Sequence, residues 1–172
     1  CRPQAEADIR ELADAATILY TLDDSGDGTL VDAAALQSAA FETVVSERDD
    51  LATIIYTSGT TGRSKGAMVT HGNLVSNGLV LVSSWEFTER DVLLHALPIF
   101  HVHGLFVANH CVLLSGARMI WHRKFDAAAV CHDLPAATVL MGVPTFYSRL
   151  LAEQKFDRTT CRSIRLFVSG SA

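Results

Sequence analysis

Apolar residues along this chain fall in short runs, each bounded by polar, glycine or proline positions. The run Leu51-Ala52-Thr53-Ile54-Ile55-Tyr56 predicts a buried strand. Ala67-Met68-Val69 predicts a second, short strand. Thr70 then N-caps a helix over 71–85, with Leu74, Val75, Leu79 and Val82 on one face. Gly78 inside that helix allows a neighbour to come close. Residues 91–98 read as a buried strand ending at Pro98. A helix over 104–115 is closed by Gly116, and 117–121 form a strand. Asp126 caps a helix to about 134, and 137–142 form a strand. Pro144 opens a helix to about 154, and 163–168 form the last strand. Strands alternating with helices from Ile54 onward predict a largely parallel α/β sheet. Ligands in such sheets collect at the carboxyl ends of strands. Three loops leave strands there: 57 onward, 99–104 and 169–172.

The first fifty residues carry less pattern. Helix formers fill 3–16, with Ile9 and Leu12 three apart. Residues 17–22 predict a short strand, 23–28 a turn, 29–40 a small helix and 46–50 a charged connection. Asp23, Ser25, Asp27, Gly28, Leu30 and Asp32 match the first ten positions of a calcium-binding EF-hand loop. The twelfth position is Ala34 rather than the bidentate Glu, so the segment reads as an acidic surface turn.

Composition narrows the class. At 172 residues with 49% hydrophobic and 19% charged content, the chain is globular and long enough for a core. No apolar run reaches the roughly 18–20 residues of a membrane-spanning helix. A net charge of −5 argues against general nucleic-acid binding, while local cations still permit an anionic ligand. Cys1, Cys111, Cys131 and Cys161 include no C-x-x-C pair, so buried or half-buried thiols are expected rather than a zinc site or a disulfide framework.

The densest chemistry follows Tyr56, in Thr57-Ser58-Gly59-Thr60-Thr61-Gly62-Arg63-Ser64-Lys65-Gly66. Its three glycines let backbone N–H groups approach a ligand, five hydroxyls offer donors, and Arg63 and Lys65 add positive charge. A strand followed by such a loop suits a polyphosphate. A polar surface turn is the bland alternative. The spacing is not that of G-x-x-x-x-G-K-[ST], because from Gly59 the second glycine position falls on Ser64.

A second cluster is Leu97-Pro98-Ile99-Phe100-His101-Val102-His103-Gly104. In an extended segment His101 and His103 point to the same side. A structural pair, a His-x-His metal site lacking a nearby carboxylate, and a substrate-contacting pair compete as readings. His95 and His110 lie nearby in sequence.

The loop resembles the signature of the AMP-forming synthetases, the adenylate-forming superfamily, whose pattern is close to [YF]-T-[ST]-G-[ST]-T-G-x-P-K-G. Only Ser64 departs from it, where proline is commoner. Residues 98–104 resemble the superfamily's P-x-[FM]-H-x-x-G segment. The string from His95 to Ala108 is most similar to malonyl-CoA synthetases, as are Met141-Gly142-Val143-Pro144-Thr145-Phe146-Tyr147 and Leu166-Phe167-Val168-Ser169-Gly170-Ser171-Ala172. Ligases for oxalate share the His-Val-His-Gly core.

The resemblance implies a fragment of the large N-terminal α/β domain of such an enzyme, a mostly parallel sheet with flanking helices. Residues 1–50 correspond to a partial preceding subdomain and connection, and 51–172 to the phosphate-loop portion; the C-terminal lid domain lies outside the chain. Family members run to roughly three times this length, well beyond one domain. The implied activity is that of an AMP-forming acid–CoA ligase using ATP, Mg2+ and coenzyme A. It activates malonate or methylmalonate to an acyl-adenylate and then forms the thioester. By the same resemblance Thr57, Ser58, Gly59, Thr60, Thr61, Gly62 and Lys65 hold the phosphates, with Thr57 near the metal. Gly170, Ser171 and Ala172 adjoin the adenine and acyl pocket, and His101 and His103 contact the acid. Thr57, Lys65 and His101 are the expected catalytic set. Other short-chain acyl-CoA synthetases, luciferase-type or peptide-synthetase adenylation chemistry, and a non-catalytic nucleotide-binding module stand as alternatives. A cytoplasmic location is expected, or the mitochondrial matrix in a eukaryote.

Overall fold

The computed structural model describes residues 1–57 and 64–170, Thr57 through its backbone alone. Two compact units divide the chain, Cys1–Val45 and Ser46–Ala172.

The first unit holds a 3-10 turn (Pro3–Ala5) and two short helices, α1 (Glu6–Leu12) and α2 (Thr29–Ala35). Both helices stop short of the spans that their composition predicts. No strand forms at 17–22. There the amino terminus donates to the Tyr20 carbonyl and Leu22 N–H to the Cys1 carbonyl, too few pairings to build a ladder. The acidic turn folds on itself: Asp23 Oδ1 accepts from the N–H groups of Ser25 and Asp27 at 2.7 and 3.0 Å.

The second unit opens with a hairpin. β1 (Leu51–Thr57) pairs antiparallel with β2 (Lys65–Thr70), from Leu51 opposite Thr70 to Thr57 opposite Lys65. This corrects two expectations. The pair is not part of the parallel sheet, and β1 is not buried, with Tyr56 73% exposed. An apolar run alone does not say whether a second layer covers it. Thr70 caps α3 (His71–Ser84) as expected, and Asn73 returns the bond to complete a capping box. The helix buries only part of the predicted face. Leu81, Val82 and Trp85 meet the core, whereas Val75 and Leu79 are exposed. Gly78 explains the difference, since a Cβ there would meet Leu114 Cδ1 at 2.6 Å.

The remaining strands form one parallel sheet in the order β4-β3-β5-β6, comprising β3 (Val92–His95), β4 (Arg118–Trp121), β5 (Val139–Gly142) and β6 (Leu166–Ser169). Its central strands alternate between two cores. Leu93, Val139 and Met141 face one core with α4 (Asn109–Ser115), α3 and the π-helical turn His103–Ala108. Leu94 and Leu140 face the other with α5 (Ala127–Asp133) and α6 (Pro144–Leu151). Burial on both faces is what a parallel sheet between helix layers requires. Gly116 ends α4 in the left-handed region at φ 69°. Cys111 is fully buried in this core, and burial pushes its thiol up to about 11.

A polar clamp ties the amino-terminal edge of the sheet. Asp91 is buried, and its Oδ1 accepts from Arg165 Nε at 2.8 Å and Thr138 Oγ1 at 2.7 Å. Its Oδ2 accepts from Arg165 Nη2 at 2.7 Å and Thr88 N–H at 2.9 Å. Arg165 also donates to the carbonyls of Trp85 and Glu86. Arg165 holds the Asp91 carboxyl well below the usual carboxylate range, and the bonds from Thr138 and Thr88 add to the shift. Removing one partner of a fully buried pair costs about 3–5 kcal/mol, and the exposure of Arg165 puts this one at the lower end. Asp91→Asn should therefore lower the urea-unfolding free energy by about 3 kcal/mol at pH 7. Because the folded carboxyl lies below its unfolded value of about 3.9, the pair's contribution is complete above that pH and lost as acidification approaches the folded value. Acid-unfolding curves of the variant should lack that component.

Candidate active site

All four parallel strands end on one edge, and the chain leaves β3 and β5 toward opposite helix layers. From β3 it passes through Leu97 and Pro98 to the π-helical turn and α4. From β5 it passes through Val143 into α6. Adjacent strands whose connections diverge in this way leave a crevice between their carboxyl ends, the usual ligand position in open α/β sheets. A cleft of about 400 Å³ lies there, lined by Leu97, Pro98, His101, Val102, His103, Gly104, Val143 and Phe146.

The two predicted histidines both line this cleft, yet they do not share a side of an extended strand. His101 N–H donates to the Pro98 carbonyl at 3.3 Å, closing a turn, and the His101 carbonyl accepts from Leu105 N–H at 2.9 Å. Helical rotation then separates neighbours two apart. His101 is exposed, its ring tilted on Phe100 at 4.6 Å. His103 is buried, and its Nδ1 has no hydrogen-bond partner. Burial is the main reason that its pKa lies below the usual value; the nearby His95 adds to the shift and the Gly170 backbone opposes it. The ring therefore enters the cleft as a neutral imidazole at neutral pH.

His95, at the end of β3, is the site residue that the sequence pattern does not mark. It is fully buried, stacks on Trp121 at 4.6 Å and 17°, and its Nε2 lies 3.0 Å from the Gly104 carbonyl. Carbonyls only accept, so Nε2 carries the proton. Its Nδ1 is buried without a partner, and burial lowers its pKa. The signal available in the sequence was a lone polar residue at the end of an apolar strand.

Other predicted positions are placed in part. The Lys65 and Thr57 backbones pair at the loop end of the hairpin, and Lys65 is exposed. Gly170 follows β6 and donates its N–H to the Gly142 carbonyl at 3.2 Å, which brings it beside the cleft. Ser58, Gly59, Thr60, Thr61 and Gly62, together with Ser171 and Ala172, lie outside the described residues. Among the described residues no three His, Cys, Asp or Glu side chains converge on a metal position. No described helix is long and apolar enough to cross a membrane.

Comparison with known proteins places this geometry in a family. The model of the AMP-binding enzymes matches residues 2–172. Mitochondrial malonate–CoA ligase ACSF3 of Mus musculus is 45% identical over 141 residues, covering 73% of this chain and 24% of that protein. Malonate–CoA ligase of Arabidopsis thaliana is 36% identical over 156 residues, covering 79% and 26%. The crystal structure of ATP-bound MatB from Rhodopseudomonas palustris superposes with a TM-score of 0.95 at 51% identity, covering 100% of this chain and 34% of that one. The chain thus spans 24–26% of the length of these two curated relatives. With its parallel sheet, flanking helices and cleft at the strand ends, it belongs to the AMP-binding enzyme family, the AMP-forming acyl-CoA synthetases, and is similar to malonate–CoA ligases among them.

Proposed function

We propose that this chain supplies the phosphate loop and the acid pocket of an ATP-dependent acid–CoA ligase acting on malonate or methylmalonate. The observation that carries the reading is the cleft between the ends of β3 and β5, small and largely apolar, with a buried neutral imidazole on its wall. Similarity to proteins named malonate–CoA ligases supports the choice of acid.

In the first half-reaction a carboxylate oxygen of the acid attacks the α-phosphorus of ATP and pyrophosphate leaves. In the second, the thiol of coenzyme A attacks the acyl carbon and AMP leaves. Attacker and target in the first step are both anions, so their repulsion must be offset by fixed donors and cations. Thr57, Ser58, Gly59, Thr60, Thr61 and Gly62 are assigned to the β- and γ-phosphates, with Lys65 supplying the charge. Mg2+ bound near Thr57 would neutralise phosphate charge. Gly170, Ser171 and Ala172 are assigned to the adenine side of the acyl pocket.

His101 and His103 are assigned to the acid. His103, being neutral, offers one N–H donor rather than a counter-charge. A carboxylate placed against it raises its pKa, so part of the charge compensation arrives with the ligand. Exposed His101 sits at the cleft mouth, where the acid enters.

Pyrophosphate exchange by the full-length ligase tests the reading. Malonate or methylmalonate should drive exchange at least tenfold faster than acetate, with oxalate between. Acetate or a long-chain fatty acid in first place overturns the substrate assignment, and ATP binding without exchange for any acid favours a nucleotide-binding module. Lys65→Ala should lower the exchange rate about 100-fold, in line with loss of a cation at a developing charge. The 172-residue chain assayed by itself should form no malonyl-CoA; steady turnover would contradict the division of labour proposed here.

A further inference from the structure

The imidazole beneath the cleft has no place in the proposed chemistry, yet burying it unprotonated with one nitrogen unpartnered is unfavourable unless the ring does something that an apolar side chain does not. His95 ends β3, the strand bordering the crevice, and reaches across to the Gly104 carbonyl at 3.0 Å. Gly104 sits in the first turn of the π-helical segment His103–Ala108, directly after the residue whose ring forms the cleft wall. That turn is already tight, since a Cβ on Gly104 would collide with the Pro98 carbonyl. On the other side the His95 ring is fixed by its stack on Trp121 of β4. The Gly104 carbonyl is thus held from β3, and β3 is held from β4.

We propose that His95 is a positioning residue of the acid pocket: its Nε2–H, bonded to the Gly104 carbonyl, fixes the turn that carries His103 and so sets how the His103 ring meets the acid. The proposal rests on the ligase reading above. It deepens that reading by assigning acid affinity to a residue that never touches the acid. Phosphate handling belongs to the β1–β2 hairpin, so the effect is confined to one substrate.

Two substitutions separate the bond from the stack. His95→Phe keeps a flat ring against Trp121 and removes the donor. His95→Gln keeps an amide donor at similar reach and removes the ring. In the full-length ligase, His95→Phe should raise KM for malonate at least tenfold while KM for ATP stays within twofold. His95→Gln should recover malonate KM to within about threefold of wild type. Equal rises for both substrates, no rise in His95→Phe, or a reversed ranking with Gln worse than Phe would each overturn the assignment.

Imidazole 15N spectra of the wild-type protein give a readout independent of variants that fold poorly. At pH 8 they should show His95 protonated at Nε2 and bare at Nδ1, and the opposite tautomer would overturn the proposal. Failure of the ligase reading is distinguishable, because the wild-type enzyme would then show no acid-dependent pyrophosphate exchange at all.

Discussion

The Asp91–Arg165 pair is the constraint on which the sheet depends. Its two groups are 74 residues apart in sequence, yet they join the start of β3 to the start of β6 across β5, and the hydroxyl of Thr138, just before β5, donates to the same carboxylate. The same guanidinium reaches back to the carbonyls that follow α3. Both oxygens of Asp91 are saturated, so a charge with almost no solvent is compensated by bonds rather than by water. The amino-terminal edge of the sheet is thereby rigid and polar. The carboxyl edge, where the strands end in His95, Gly142 and Ser169, is left open for a ligand.

The division between the edges also organises the cores. Leu93 and Leu94 belong to different helix layers, as do Leu140 and its neighbours Val139 and Met141. The layers part company where the chain leaves β3 and β5, and the cleft is the gap that this parting leaves. Its apolar walls come from the same residues that close the cores, Leu97 and Phe146 among them. Pocket and packing are therefore one construction, which is why a positioning role falls to a buried residue such as His95.

Much of this was legible in the residues. The four parallel strands, the Thr70 and Asp126 caps, the glycine stop at Gly116 and the proline start at Pro144 follow from local rules, and the structure has them. What escaped was long-range. The exposure of β1 depends on what covers it, and no run of apolar residues encodes that. The face of α3 was read only in part: Val82 meets the core as expected, whereas Val75 and Leu79 do not, because Gly78 sets the contact with α4. The His101–His103 geometry turned on one hydrogen bond to the Pro98 carbonyl, which converts an extended reading into a turn. The Asp91–Arg165 clamp left no trace in spacing. The phosphate-loop assignment stands on its residues and on family membership.

The hairpin and the parallel sheet share no hydrogen-bond ladder. Each can open without unzipping the other, and the exposed surfaces of β1 and β2 leave little apolar area to resist opening of the hairpin. Backbone amides should accordingly fall into two exchange classes in deuterium, those of β1 and β2 released by local fluctuation and those of β3 and β5 released only when the whole unit unfolds. Thr57 and Lys65, which flank the proposed phosphate loop, then sit on a support that breathes on a faster timescale than the floor of the cleft.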